Sequence, residues 1–465
     1  MQRHPSILEP NVFRWYLRAA ERGNPYAQFN LGLLFKEGTG VAPHDHSACR
    51  WLRRAARQGL AFAQNHLGAM VFQGRGTPQS DQEAAYWFER AAAQGDASAQ
   101  ENLGNLYRTG RGVARDPACA VGWYYKAAEQ DLASAQRLLG ECYLDGEGVA
   151  PSDALAMAWF RKAALLDDAP AAFALGLMYR DGRGGGVAHE ASEAEALYWF
   201  RRAAGLGHAA AQRLLSLAFL DGPRPDVGAA TAWLEHAAGQ GDAEAQYRLG
   251  VLLEGGGADD VARCVVLLRR AADGGHVQAQ YRLGLMHAEG RGVARDPGQA
   301  LLWYARAAEQ GAPNAQFALG VLHARGQGVP RDARRAAEWY RRAAEQGDAS
   351  AQNNLGILYA EGDGVPRDDA QAVYWYGRAA EQGHALAQYN LGGMVGSGRG
   401  TPRDTVRSYM WLLLAADAGA PAAGADRVRL AERLSACQIG SAHDQRHAWR
   451  KARSIDAGGA GRRAA

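Results

Sequence analysis

Lysine is scarce. Lys36, Lys126, Lys162 and Lys451 are the only four in 465 residues, and none follows a glycine. A Walker-type phosphate loop is therefore absent. No serine stands three residues before any of them, which removes the Ser-x-x-Lys nucleophile of penicillin-recognising enzymes. Cysteine is sparse and odd in number: Cys49, Cys119, Cys142, Cys264 and Cys437 keep no common spacing. A disulfide framework wants an even set, so a reducing, cytoplasmic setting is expected. No apolar run approaches the ~18–20 residues of a membrane helix, and Met1–Ala20 lacks the apolar core of a signal peptide. Proline, at 16 residues, is too rare for a Pro-rich linker. Neither sign of charge dominates, with 52 basic and 49 acidic side chains. The balance of +3 is too small to demand nucleic acid or an anionic membrane as partner.

Glycine, by contrast, is abundant at 58 residues, and much of it is periodic. The string Ala-Gln-x-x-Leu-Gly puts its glycine at 32, 68, 104, 140 and 176, each 36 apart. After Ser216, which takes the glycine's place, the series resumes at 250, 284, 320, 356 and 392. A tryptophan precedes each anchor by 17 positions, from Trp15 to Trp375, with Leu267 the one substitute. Trp411 belongs to a last unit whose anchor is lost. An Ala-Ala pair follows each tryptophan, and a turn glycine such as Gly23 or Gly95 closes most of these segments, with Asp131 and Asp167 replacing it twice.

Seven residues before the tryptophan stands a helix-capping residue such as Ser80, Asp116, Ser192, Asp260 or Asp332, with His44 as the exception. Ser and Asp side chains accept from the free N–H groups of a helix's first turn. A glycine at the far end takes the left-handed conformation that stops it. Each such segment is therefore read as a helix of about 14 residues. A second helix runs through the Ala-Gln-x-x-Leu-Gly string, as over 97–107, with Ala99, Leu103 and Tyr107 on one stripe. The glycine after the leucine lets a neighbouring helix approach closely. The fold class is all-α: about 11–12 helix pairs, none able to bury its stripe without its neighbours. The tryptophans are expected to form the spine of the stack.

The pattern, seen almost complete in 315–347 (AQFALGVLHARGQGVPRDARRAAEWYRRAAEQG), resembles the Sel1-like repeat, a relative of the tetratricopeptide repeat. That resemblance implies a right-handed α/α superhelical solenoid and a non-enzymatic scaffold or adaptor that holds a peptide or protein surface in its concave groove. A dedicated inhibitor or immunity-type binder would use the same groove. Some cysteine-rich relatives are linked to β-lactam binding, but their paired cysteines are missing here. The expected organisation is a lead over 1–10, the repeats over 11–421, a capping helix over 422–442 and a flexible basic tail over 443–465.

By the same resemblance, the position three before the anchor glycine faces the groove. Phe29, Phe173, Tyr247, Tyr281, Phe317 and Tyr389 are its aromatic members, and aromatic residues are common anchors of recognition. Asn30, Asn102, Asn354 and Asn390 follow one position later, where related clamps hold a peptide carboxylate. The alternative is that these side chains only pack between helices. No catalytic set, cofactor site or metal site is expected. His287 and His323 share a repeat position on consecutive units, but two nitrogens fall short of a metal site. Irregular spacing around Asp221–Gly284 predicts a weak seam in the stack.

Overall fold

The computed structural model describes residues 10–183, 189–221 and 225–460. Among them are 25 α-helices and no strand. They fall into two compact units, Met1–Gln240 and Gly241–Ala465. The first holds α1 (Pro10–Glu21), α2 (Pro25–Glu37), α3 (Asp45–Arg57), α4 (Ala61–Gln73), α5 (Asp81–Ala93), α6 (Ala97–Thr109), α7 (Pro117–Ala128), α8 (Ala133–Asp145), α9 (Asp153–Leu165), α10 (Ala169–Arg180), α11 (His189–Gly205), α12 (Ala209–Asp221) and α13 (Val227–Gly239). The second holds α14 (Ala243–Leu253), α15 (Ala258–Asp273), α16 (Val277–Glu289), α17 (Pro297–Glu309), α18 (Pro313–Arg325), α19 (Ala333–Glu345), α20 (Ala349–Glu361), α21 (Asp369–Glu381), α22 (Ala385–Ser397), α23 (Thr405–Asp417), α24 (Ala423–Ala431) and α25 (Ala436–Ala460). Within each unit, helices pack mainly on their neighbours in sequence. The Ala-Gln-x-x-Leu-Gly helices take even numbers and the tryptophan helices odd ones.

The caps explain the boundaries. Ser80, Asp116, Ser152, Asp226, Asp332 and Asp404 each accept from the backbone N–H three residues on, and His44 does the same through its ring. Two expected caps are not caps. Ser192 lies inside α11, where its buried hydroxyl donates to the Tyr179 carbonyl, and Asp260 lies inside α15, which starts after Gly257. Both helices follow an irregular connection and begin a turn early. The even helices have their own caps just past the turn residue, such as Asn24, Asp96, Asp168 and His276. Sequence reading assigned no role to that row.

The close approach expected at the anchor glycine is present, and it relocates the spine. A Cβ on Gly104 would lie 2.6 Å from the Tyr124 ring, and on Gly140 2.6 Å from the Phe160 ring. The residue packed there is the one after the tryptophan. Leu52, Tyr124, Phe160, Leu234 and Leu268 are essentially fully buried. One residue rotates a helix face by about 100°, so the tryptophan itself points elsewhere. It packs against the two helices before its own: Trp159 against the Tyr124–Leu139 cluster of α7 and α8, and Trp375 against the Tyr340–Leu355 cluster of α19 and α20. Trp123, Trp159, Trp233 and Trp339 are only half-buried, and Trp15 is 64% exposed. Tryptophan therefore joins adjacent pairs, while its successor fills each one. At the one position where the anchor is Ser216, the successor on the next helix is Leu234 rather than a ring.

The glutamine of the string has a structural duty. Gln100 is buried, donates to the Ala92 carbonyl of α5 at 3.2 Å, and accepts from Gln130 beyond α7 at 2.9 Å. The same pair of bonds recurs at Gln28, Gln64, Gln316 and Gln352. At 166 the donor glutamine is replaced by leucine, and the buried Gln136 Oε1 is left with no partner. An orphaned buried acceptor costs about 1–3 kcal/mol. Leu166→Gln is therefore expected to raise stability by about 1 kcal/mol, read as an increase in melting temperature. Leu166 is 47% exposed, so little apolar burial is lost in exchange.

At the far end, α24 and α25 cover α23. The residues from His443 onward, expected as a loose tail, continue α25 as far as Ala460. Arg446 and Arg450 bind Asp417 at 3.0 and 2.8 Å, and Trp449 meets Trp411 edge-on at 6.2 Å. Arg462 and Arg463 lie outside the described residues, as do 1–9 of the lead and 222–224 of the expected seam. Both helices of the expected seam form, and Leu268 fills its pair although Leu267 is half-exposed.

Candidate interaction surface

The ten expected groove residues all sit on even-numbered helices, and all are half-buried. Their rings and amides contact neighbouring helices on either side. Phe173 stacks on His208 at 4.4 Å, and Tyr247 on His276 at 4.7 Å. Phe29 lies 5.5 Å from the His66 ring and 6.4 Å from Phe62. Tyr281 and Phe317 tilt against Tyr304 and Tyr340, the buried rings of their own pairs, at 5.7 and 5.8 Å. Tyr389 donates to Asp426 at 2.8 Å, a bond that raises its phenol's proton affinity. Each ring is thus engaged by a neighbour and still half-buried rather than enclosed.

The asparagines form a ladder of their own. Asn102 donates to Asn65 at 3.0 Å, and Asn65 donates on to Asp96 at 3.1 Å. The same arrangement recurs where Asn390 donates to Asn353 at 3.0 Å. Asn354 accepts from Asn353 at 3.3 Å, and Asn30 sits half-buried beside Phe29. An asparagine amide has two N–H donors. Asn102 and Asn390 have each committed one of them inside the protein.

Charge is interleaved with these groups. Burial pushes the Glu244 carboxyl up, but hydrogen bonds from His276 and Arg248 outweigh it and hold the acid below its ordinary range. Burial lowers the His208 pKa against the opposing pull of Asp168. Sequence reading missed the position six before the anchor glycine. There Tyr26 and Phe62 stand on consecutive even helices, 63% and 60% exposed. Their type and register were visible; their exposure was not.

Chemistry is sparse. Among the described residues no group of three or more His, Cys, Asp and Glu could hold a metal ion. His287 and His323 are buried, and burial is the main cause lowering both pKa values. Both His287 ring nitrogens and His323 Nδ1 lack partners. All five cysteines are free, and burial raises the Cys142 and Cys264 thiols to about 11, away from nucleophilic use. No described helix is long and apolar enough to cross a membrane.

Stacked helix pairs with this glycine, glutamine and tryptophan grammar define a helical repeat protein. The Sel1 repeat matches twelve consecutive segments from 13–24 to 385–419. The chain belongs to the Sel1 repeat family. Among solved structures, c5321, a protective antigen present in uropathogenic Escherichia coli strains and displaying an SLR fold, is 34% identical, with 94% of each chain covered and a TM-score of 0.76. A Sel1 repeat protein from Oxalobacter formigenes is 26% identical over 90% of each chain, with a TM-score of 0.34. The immunity protein Pa5087 from Pseudomonas aeruginosa is 19% identical over 55% of this chain and 82% of its own, with a TM-score of 0.30. No curated protein matches.

Proposed function

We propose that the protein is a non-enzymatic interaction scaffold whose even-helix face holds a peptide or protein surface. The observation that carries this reading is the set of aromatic rings on the even helices of each compact unit: Tyr26, Phe29, Phe62 and Phe173 in the first, and Tyr247, Tyr281, Phe317 and Tyr389 in the second. Aromatic rings supply contact area at low entropic cost, and a stack of helix pairs holds them at a fixed repeat. The free Asn102 and Asn390 N–H groups would receive backbone or terminal carboxylate oxygens. The free thiols suit a reducing compartment, which supports a cytoplasmic site of action.

Two variants test it in affinity capture from a bacterial lysate with quantitative mass spectrometry. Tyr26→Ala/Phe62→Ala removes exposed rings and is expected to leave the melting temperature unchanged while reducing captured partners at least fivefold. Tyr247→Ala/Tyr281→Ala/Phe317→Ala is expected to reduce capture similarly while largely keeping the helical signal. If capture is unchanged in both and only the triple variant melts earlier, these rings are core and the surface is not the binding face.

A further inference from the structure

A second surface lies on the odd-helix side, around α3. Arg53, Arg54 and Arg57 stand three, four and seven residues on from Arg50, so they share one helix face with it. With His46, Cys49 and the Gly76–Pro78 turn they line a cleft of about 330 Å³. The nearby acids are already engaged. Asp45 is held by Arg75 at 2.7 Å, and Glu83 by Arg53 at 2.8 Å. Among the described residues, Arg50, Arg54 and Arg57 have no carboxylate within ion-pair distance.

The rest of the chain shows that this is a departure. The position six after the tryptophan, or after Leu267 in its place, is acidic in seven of the eleven other pairs, as at Glu129, Glu309, Glu345 and Glu381, and arginine there is confined to Arg57. In one pair that acid, Asp417, binds two arginines directly. On α3 the balancing acid is replaced by another cation. The Arg54 guanidinium stacks over Trp51 at 4.5 Å, and Arg50 lies 5.9 Å from the same ring. Stacking holds the guanidinium plane while its N–H edge stays free to bind oxygen pairs.

We propose that this cleft is a docking site for an extended, acidic peptide segment of a partner protein, independent of the even-helix face. The cations run over two helical turns, about 10 Å at 1.5 Å per residue. One monovalent anion would meet only part of that row. An extended chain places same-side residues about 6.7 Å apart, close to the one-turn spacing of about 5.4 Å between successive arginines. Acids at alternate positions would therefore each meet a guanidinium. Nucleic acid is the weaker match, because the cluster is local, with Asp45 and Glu83 at its rim, and does not continue as a basic stripe.

The test uses a fluorescein-labelled peptide, Glu-Thr-Glu-Thr-Glu, and its glutamine counterpart, titrated against the full chain by fluorescence anisotropy. The glutamate peptide is expected to bind at least tenfold tighter than the glutamine peptide and to weaken with salt. Arg57→Glu, which installs the residue other pairs carry, should weaken binding at least tenfold. Arg334→Glu on α19 makes the same charge change elsewhere and should alter it less than twofold. Should Arg57→Glu lose helical signal, Arg57→Gln is read instead, with a loss of at least threefold expected. Equal losses at 57 and 334, equal binding of both peptides, or no binding would overturn the proposal. So would preferential displacement of the peptide by duplex DNA or phosphatidylserine vesicles at equal charge.

Discussion

Gly112→Ala is expected to destabilise the protein by roughly 2–6 kcal/mol, against about 1–3 kcal/mol for Gly95→Ala. Both glycines have left-handed backbone, with φ of 72° and 92°. They differ in what surrounds them. A Cβ on Gly95 would meet nothing within 4 Å, whereas on Gly112 it would lie 2.2 Å from the Asp81 carbonyl oxygen. The second site adds a backbone collision to the conformational strain, and the colliding atom belongs to α5 of the preceding pair. Thermal melts of the two variants separate the contributions. At the position equivalent to Gly95, Asp131 adopts a φ of 57°, so Gly95→Asp should cost less than Gly95→Ala. Equal melting temperatures for the variants at 95 and 112 would remove the collision from the account.

Gly140→Ala is expected to cost about 1–3 kcal/mol through overpacking, while Gly392→Ala should be near neutral. At Gly140 the new methyl would press on the buried Phe160 ring at 2.6 Å, and at Gly392 its nearest neighbours stand at 3.3 and 3.4 Å. Alanine also gains about 0.5–1 kcal/mol over glycine inside a helix, which offsets the milder contact. The chain supplies the rescue. Where the anchor is Ser216, the residue after the next tryptophan is Leu234 rather than a ring, so Phe160→Leu should recover part of the loss in the Gly140→Ala background. Additive costs in that double variant would show that the methyl and the ring do not compete for the same space.

The helix pairs were legible because their landmarks are chemical: a cap with an acceptor, a turn glycine, an anchor with no side chain. Residues whose role depends on orientation were not. Tryptophan is conspicuous and looked like the spine. Its successor varies among Leu, Phe and Tyr and so formed no visible string, although it is the one that seats on the glycine. Glutamine is ordinarily a surface residue, and nothing local marks Gln100 as buried between three helices. A partner glutamine recurring thirty positions later was the available signal. The candidate surface followed the same rule. The register put the ten side chains on one set of helices, but the stacking of Phe173 on His208 and the pairing of Asn102 with Asn65 arise from contacts across pairs. Ser192 and Asp260 were misplaced because irregular connections broke the spacing that located the other caps.

Taken as an odd helix with the even helix that follows it, most modules carry a glutamine plug at one edge and a matching socket at the other. Gln130 is the plug that enters the socket of Gln100, and Gln94 enters that of Gln64. Where both halves of the connector are glutamine, the joint is indifferent to which modules meet. Whole modules can be duplicated or deleted in frame without leaving a stray amide in the interior. Cuts within a module would strand one. Leu166 and Ala418 are blank plugs, facing Gln136 and Gln388, whose Oε1 atoms are buried and unanswered. A module added after Gln388 would need only a glutamine in place of Ala418 to complete the joint.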